Sequence, residues 1–131
     1  CKNLSRLMSE TAVTFETTPE FDKDLKKHSR KHRSLPEDIE DFKTALKVAH
    51  FTDGISSESM GFFPISHPEI PEGFFIAKKF ACKAIKGSGS RSGYRVVYHL
   101  QGTIFKICLL ELFHKKDKAV EDFQRIKGCT F

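Results

Sequence analysis

The stretch most restrictive of fold is residues 74–113. It reads as three consecutive β-strands, at 74–85, 94–100 and 103–113. A polar turn, Gly87-Ser88-Gly89-Ser90-Arg91-Ser92-Gly93, separates the first two, and Gln101-Gly102 separates the last two. β-branched and aromatic residues fill the strands while Gly and Ser fill the turns, which is the pattern of an antiparallel meander. Cations are set into this apolar ladder: Lys78, Lys79, Lys83, Lys86, Arg91 and Arg95, with His114, Lys115 and Lys116 at its end. A sheet core needs no cations, because burying unpaired charge is expensive. These residues are therefore expected to face solvent or an anionic partner.

The chain before the meander supplies the rest of a domain. Residues 1–10 read as a loose leader, and the alternating, β-rich residues 11–16 read as a first strand. Thr18-Pro19-Glu20 opens a helix, since Thr18 can cap and Pro19 sits where a missing N–H is harmless. Phe21, Leu25, His28 and His32 form one stripe on it, and Lys23, Lys26, Lys27, Arg30, Lys31 and Arg33 crowd the rest. Ser34 and Glu37, at capping-box spacing, start a second helix with Ile39, Phe42, Leu46 and Ala49 as its apolar stripe. Residues 51–73 hold Pro64, Pro68 and Pro71 and read as a long irregular loop. After the meander, Asp117 can cap a last helix that turns Val120, Phe123 and Ile126 inward, leaving 128–131 as a tail. The expected order is β-α-α-β-β-β-α. It makes one α+β domain over 11–127, with a predominantly antiparallel four-stranded sheet and a helical hairpin on one face.

Composition narrows the function classes. With 131 residues, 39% of them hydrophobic and 30% charged, the chain suits one globular domain. A net charge of +5 is compatible with nucleic-acid or anionic-surface binding without establishing it. No run reaches the length of a membrane span and no signal peptide is visible. Cys1, Cys82, Cys108 and Cys129 lack zinc or redox spacing, so reduced thiols and a cytoplasmic protein are expected.

Taken together, the element order and several segments resemble the RelE/ParE superfamily of toxins from type II toxin–antitoxin pairs. The segments are Pro19-Glu20-Phe21-Asp22-Lys23-Asp24-Leu25-Lys26-Lys27 followed by a short second helix, the Gly-Ser-Arg-Ser-Gly turn, Gly93-Tyr94-Arg95-Val96-Val97-Tyr98, and Phe113-His114-Lys115-Lys116-Asp117-Lys118. The turn and the Lys-Lys-Asp-Lys ending are nearer to the RelE- and HigB-like branch. That resemblance implies a metal-independent, cofactor-free endonuclease that cuts mRNA on the ribosome, touches ribosomal RNA, and is neutralised by an acidic antitoxin. The ParE-like alternative is a gyrase inhibitor without nuclease activity. A third reading is a non-catalytic domain of this fold that binds RNA or a protein partner.

Metal-free RNA cleavage needs a proton acceptor for the ribose 2′-OH, cations for the pentavalent phosphorus transition state, and a donor for the leaving oxygen. Arg95 matches the family's sheet arginine, and its fork suits a phosphate. Lys79 and Lys83, four residues apart on one strand face, resemble the family's strand cations. His114 is an acid–base candidate because the ordinary imidazole pKa lies near neutrality, and Lys115 completes the catalytic set. Lys78, Lys86, Arg91, His99 and Lys116 are assigned to phosphate or RNA binding. RelE-like enzymes often use a C-terminal aromatic hydroxyl, and here the matching helix offers Glu121, Asp122 and Phe123 instead.

Overall fold

The computed structural model describes residues 13–51, 54, 56–66, 68, 70, 72–80, 82, 93–101, 106–116 and 125–126. Within them the chain is α+β: two helices and a five-stranded mixed sheet. In chain order the elements are β1 (Thr14–Thr17), α1 (Pro19–Ser29), α2 (Leu35–Phe51), a 3-10 turn (Glu58–Met60), β2 (Phe62–Pro64), β3 (Phe74–Ala77), β4 (Tyr94–Gln101) and β5 (Lys106–His114). The spatial order is β1-β5-β4-β3-β2. β1 runs parallel to β5, and the other three pairings are antiparallel.

The sheet thus has a fifth strand where four were expected. β2 lies inside the segment read as irregular loop. Gly61, in the left-handed region at φ +85°, donates its N–H to Glu58 and turns the chain into β2. Pro64 hides the strand from sequence patterning, yet β2 is the outermost strand, where a missing donor is tolerated. The strand expected over 74–85 is also shorter. Lys78 and Lys79 are both exposed, so the in–out alternation ends at Ala77, while Phe80 and Cys82 are buried again beyond it.

The two helices cover one face of the sheet. α1 starts as expected: Pro19 occupies its first turn, and the Phe21 N–H donates to the Thr18 hydroxyl at 3.1 Å. It ends at Ser29, and His32 lies in the turn that follows, its N–H bonded back to His28 O at 3.0 Å. α2 is not short; its 17 residues exceed the 11 of α1. The stripe Ile39, Phe42, Leu46 and Ala49 is buried against Phe62, Ala77, Phe80, Tyr94, Val96, Tyr98, Ile107, Leu109 and Leu112. Leu25, expected in the core, is only partly buried at its margin.

A second, smaller cluster fills the opposite face: Ile70, Phe74, Ile76, Val97, Cys108, Leu110, Phe113 and Ile126. The expected C-terminal helix is represented by Arg125 and Ile126, which are helical, and its remaining positions lie outside the described residues. Cys82 packs in the helix-side cluster and Cys108 in the other, so the sheet separates these two free thiols.

One irregularity lets β5 serve both clusters. Val97 pairs with Glu111 and Tyr98 with Leu109, which leaves Leu110 without an opposite residue. This bulge places Leu109 and Leu112 in the helix-side cluster and Leu110 in the other. β1 stops opposite Leu109, so the edge of β5 is open from Leu110 onward. Side chains close it. The Leu112 N–H donates to Asp24 Oδ2 at 3.2 Å. Arg125 Nη1 donates to Asp24 Oδ2 at 2.7 Å and to Leu110 O at 3.0 Å. Asp24 thereby ties α1, β5 and the C-terminal segment together.

Candidate functional site

Of the cations singled out in the sequence, Lys78, Lys79, Arg95, Lys115 and Lys116 gather where β3 ends, β4 begins and β5 ends. Antiparallel pairing brings these termini together: Ala77 opposes Val96, Arg95 opposes Phe113, and Tyr94 opposes His114. The Lys115 N–H donates to Gly93 O at 2.9 Å, which closes this end of the β4–β5 pair.

Strand alternation splits the residues between two faces. Tyr94, Val96 and Tyr98 point to the helices, so Arg95, Val97 and His99 point away. Arg95 is half-buried, and among the described residues it has no ion-pair partner. Lys78 shares its face. The Lys78 ammonium lies 5.5 Å from the ring centroid of Phe63, which packs against the helix-free cluster. Lys79 is exposed, and its aliphatic stem covers Gly61. Of the two lysines, Lys78 is therefore the one placed with Arg95. Lys115 and Lys116 are exposed just beyond β5. Lys83, Lys86 and Arg91 lie outside the described residues.

His99 is on the same face as Arg95 but does not join it. Four residues along a strand separate them by roughly 13 Å. Its ring is buried against Phe74, at 4.6 Å between centroids, and burial holds its pKa below the usual imidazole value. That environment suits a structural histidine rather than a phosphate ligand.

His114 sits on the helix side. Gly93, at φ +90°, leaves the space that the ring fills; a Cβ there would lie 2.6 Å from His114 Nε2. The Lys116 N–H donates to His114 Nδ1 at 3.1 Å. In the neutral ring the proton then resides on Nε2, against Gly93, and neither nitrogen presents a lone pair to a substrate. His114 is thereby a poor general base in this arrangement.

Sequence reasoning missed the histidine–tyrosine pairs that clamp the helices to β4. His32 Nδ1 and Tyr94 Oη share a hydrogen bond at 2.8 Å, and His28 Nδ1 lies 3.4 Å from the same oxygen. The rings of His28, His32 and His114 all meet Tyr94 edge-on, at 5.2, 5.5 and 4.9 Å. One turn of sheet away, His50 Nε2 and Tyr98 Oη are 2.6 Å apart. Burial lowers the His50 pKa from 6.5 to about 4 and pushes the Tyr98 phenol above its ordinary value. The signal was present in part: His28 lies on the apolar stripe of α1, His32 continues that spacing into the turn beyond the helix, and both tyrosines lie on one face of β4. Both phenols face the helix layer and are engaged there, on the side of the sheet away from Arg95.

Among the described residues no cluster of His, Cys, Asp and Glu has the arrangement of a metal site, and no helix is long and apolar enough to cross a membrane. Comparison with protein-family models finds no match, and comparison with curated proteins finds no significant relative.

Proposed function

We propose that this protein is a toxin of the RelE/ParE type that cleaves mRNA on the ribosome without a metal. The observation that carries the reading is Arg95: a guanidinium on the helix-free face that forms no ion pair among the described residues, with Lys78 on that face and Lys115 and Lys116 at the end of the neighbouring strand. A paired arginine would be a structural residue; one left open among lysines suits a phosphate. The segment resemblance supports the same identity.

The chemistry is intramolecular. The 2′-oxygen attacks the adjacent phosphorus, the bond to the 5′-oxygen breaks, and the leaving oxygen takes a proton, giving a cyclic phosphate and a 5′-hydroxyl. Arg95 holds the non-bridging oxygens, whose negative charge grows in the transition state. With His114 and both tyrosines engaged elsewhere and the described lysines serving as cations, the proton of the 2′-hydroxyl passes to solvent water. The same cationic surface is where an acidic antitoxin segment would dock, because charge complementarity favours it.

The engaged state of His114, Tyr94 and Tyr98 favours a second reading, in which the surface binds RNA phosphates without cutting. Induced expression followed by 5′-end mapping of transcripts on translating ribosomes separates the two. Codon-phased cuts support the nuclease. Ribosome co-sedimentation without cuts supports the binding domain, and supercoiling defects without cuts point to the gyrase-inhibiting alternative.

A further inference from the structure

We infer that Phe63 is a stacking platform for a base of single-stranded RNA, set beside the phosphate site of Arg95 and bridged to it by Lys78. The inference rests on the RNA-binding part of the proposed function, not on cleavage.

β2 carries two adjacent phenylalanines with different fates. Phe62 is buried to 3% exposure in the helix-side cluster, whereas Phe63 is only partly covered at the margin of the other. Phe63 pairs with Ile76, and Ile76 pairs with Val97, so the three side chains form one row across the helix-free face. Arg95 is the next residue on that face of β4. Two strand spacings across and two residues along place the Cα atoms of Phe63 and Arg95 roughly 12 Å apart, a separation that a dinucleotide spans. Lys78 stands between them, two residues beyond Ile76 on the same face, with its ammonium over the Phe63 ring.

An aromatic surface next to cations is the arrangement that binds single strands: bases stack on the ring while the cations track the backbone. The lysine marks the open side of the ring. A cation over a solvent-exposed ring is weakly held. A base can therefore take that side while the ammonium swings to the neighbouring phosphate. The platform belongs to the 51–73 segment, so this segment contributes directly to substrate positioning.

The chain contains no tryptophan, so Phe63→Trp introduces a single indole reporter. The probe is a short 2′-O-methyl oligoribonucleotide, which cannot be cut. An abasic oligonucleotide of equal length and charge is the control. The expected result is quenching of the indole by the base-bearing strand and little by the abasic one. Phe63→Leu, which keeps the apolar contact, is expected to weaken binding of the base-bearing strand about tenfold and to leave abasic binding unchanged. Lys78→Ala should weaken both alike. Equal quenching by the two strands, or unchanged affinity in Phe63→Leu with the fold intact by melting, overturns the inference. Because the probe is inert, a protein that binds but does not cleave still passes. Failure of both strands to bind overturns this inference and the RNA reading together, and quenching without nuclease activity removes only the nuclease.

Discussion

Replacing Tyr98 with Phe tests the clamp between α2 and β4. Tyr98 is fully buried, and its hydroxyl meets His50 Nε2 at 2.6 Å. The ring stays, so stacking on Phe75 at 5.5 Å is kept and no cavity larger than an oxygen opens. What is lost is one hydrogen bond, leaving an imidazole nitrogen at a half-buried site without its partner. Such a loss is worth about 1–3 kcal/mol, or roughly 4–12 °C in melting temperature for a domain of this size. The same pair sets a pH dependence. His50 has a pKa near 4 when folded and 6.5 as its ordinary value, so the folded state holds it neutral. That contribution is complete above pH 6.5 and is lost as pH falls from 6.5 towards 4. The full shift would correspond to about 3 kcal/mol, and solvent screening of this half-buried ring reduces it to about 1–2 kcal/mol. His99, also held low by burial, adds loss in the same direction. The difference between wild type and His50→Gln therefore isolates His50. Urea unfolding at pH 7.5 and pH 5 measures it: wild type should lose more stability between the two than His50→Gln. Equal losses, or a Tyr98→Phe variant that melts with wild type at pH 7.5, would refute the reasoning.

Two further outcomes follow from the fold. Asp24→Ala removes the acceptor of the Leu112 N–H and the partner of Arg125, and should destabilise by about 2 kcal/mol in chemical denaturation. Gly93→Ala imposes a Cβ on a left-handed backbone and on the His114 ring; it should cost at least about 1–2 kcal/mol and shift the His114 side-chain resonances.

The helices were the most legible part of this chain. Thr18, Pro19 and the stripe from Ile39 to Ala49 act locally, and their positions follow from helix periodicity and capping alone. The sheet was legible where strands alternate over many residues, as in β4 and β5. It was not legible at β2, because three residues containing Pro64 carry no periodic signal, and pairing with β3 is a tertiary event. The parallel pairing of β1 with β5 links residues more than ninety positions apart, and nothing local encodes it. For the site, residue type and order brought out Arg95 and the lysines. Whether Lys78 or Lys79 stands with Arg95 turned on where β3 stops, a one-residue matter that strand patterns do not resolve. The tyrosines carry no local signal of a role, and only packing reveals their partners His32 and His50.

Single-turnover cleavage of mRNA on programmed ribosomes by wild type, Arg95→Ala and Arg95→Lys tests the central claim most directly. An interaction stronger in the transition state than in the ground state affects rate more than binding. Arg95→Ala should therefore slow cleavage by about a hundredfold or more, while ribosome binding, shared among many cations, weakens far less. Arg95→Lys should recover only part of the rate, because the guanidinium fork is lost. Thermal melting should confirm that both variants remain folded. Wild-type cleavage by a folded Arg95→Ala protein would contradict the account and make Arg95 a surface residue.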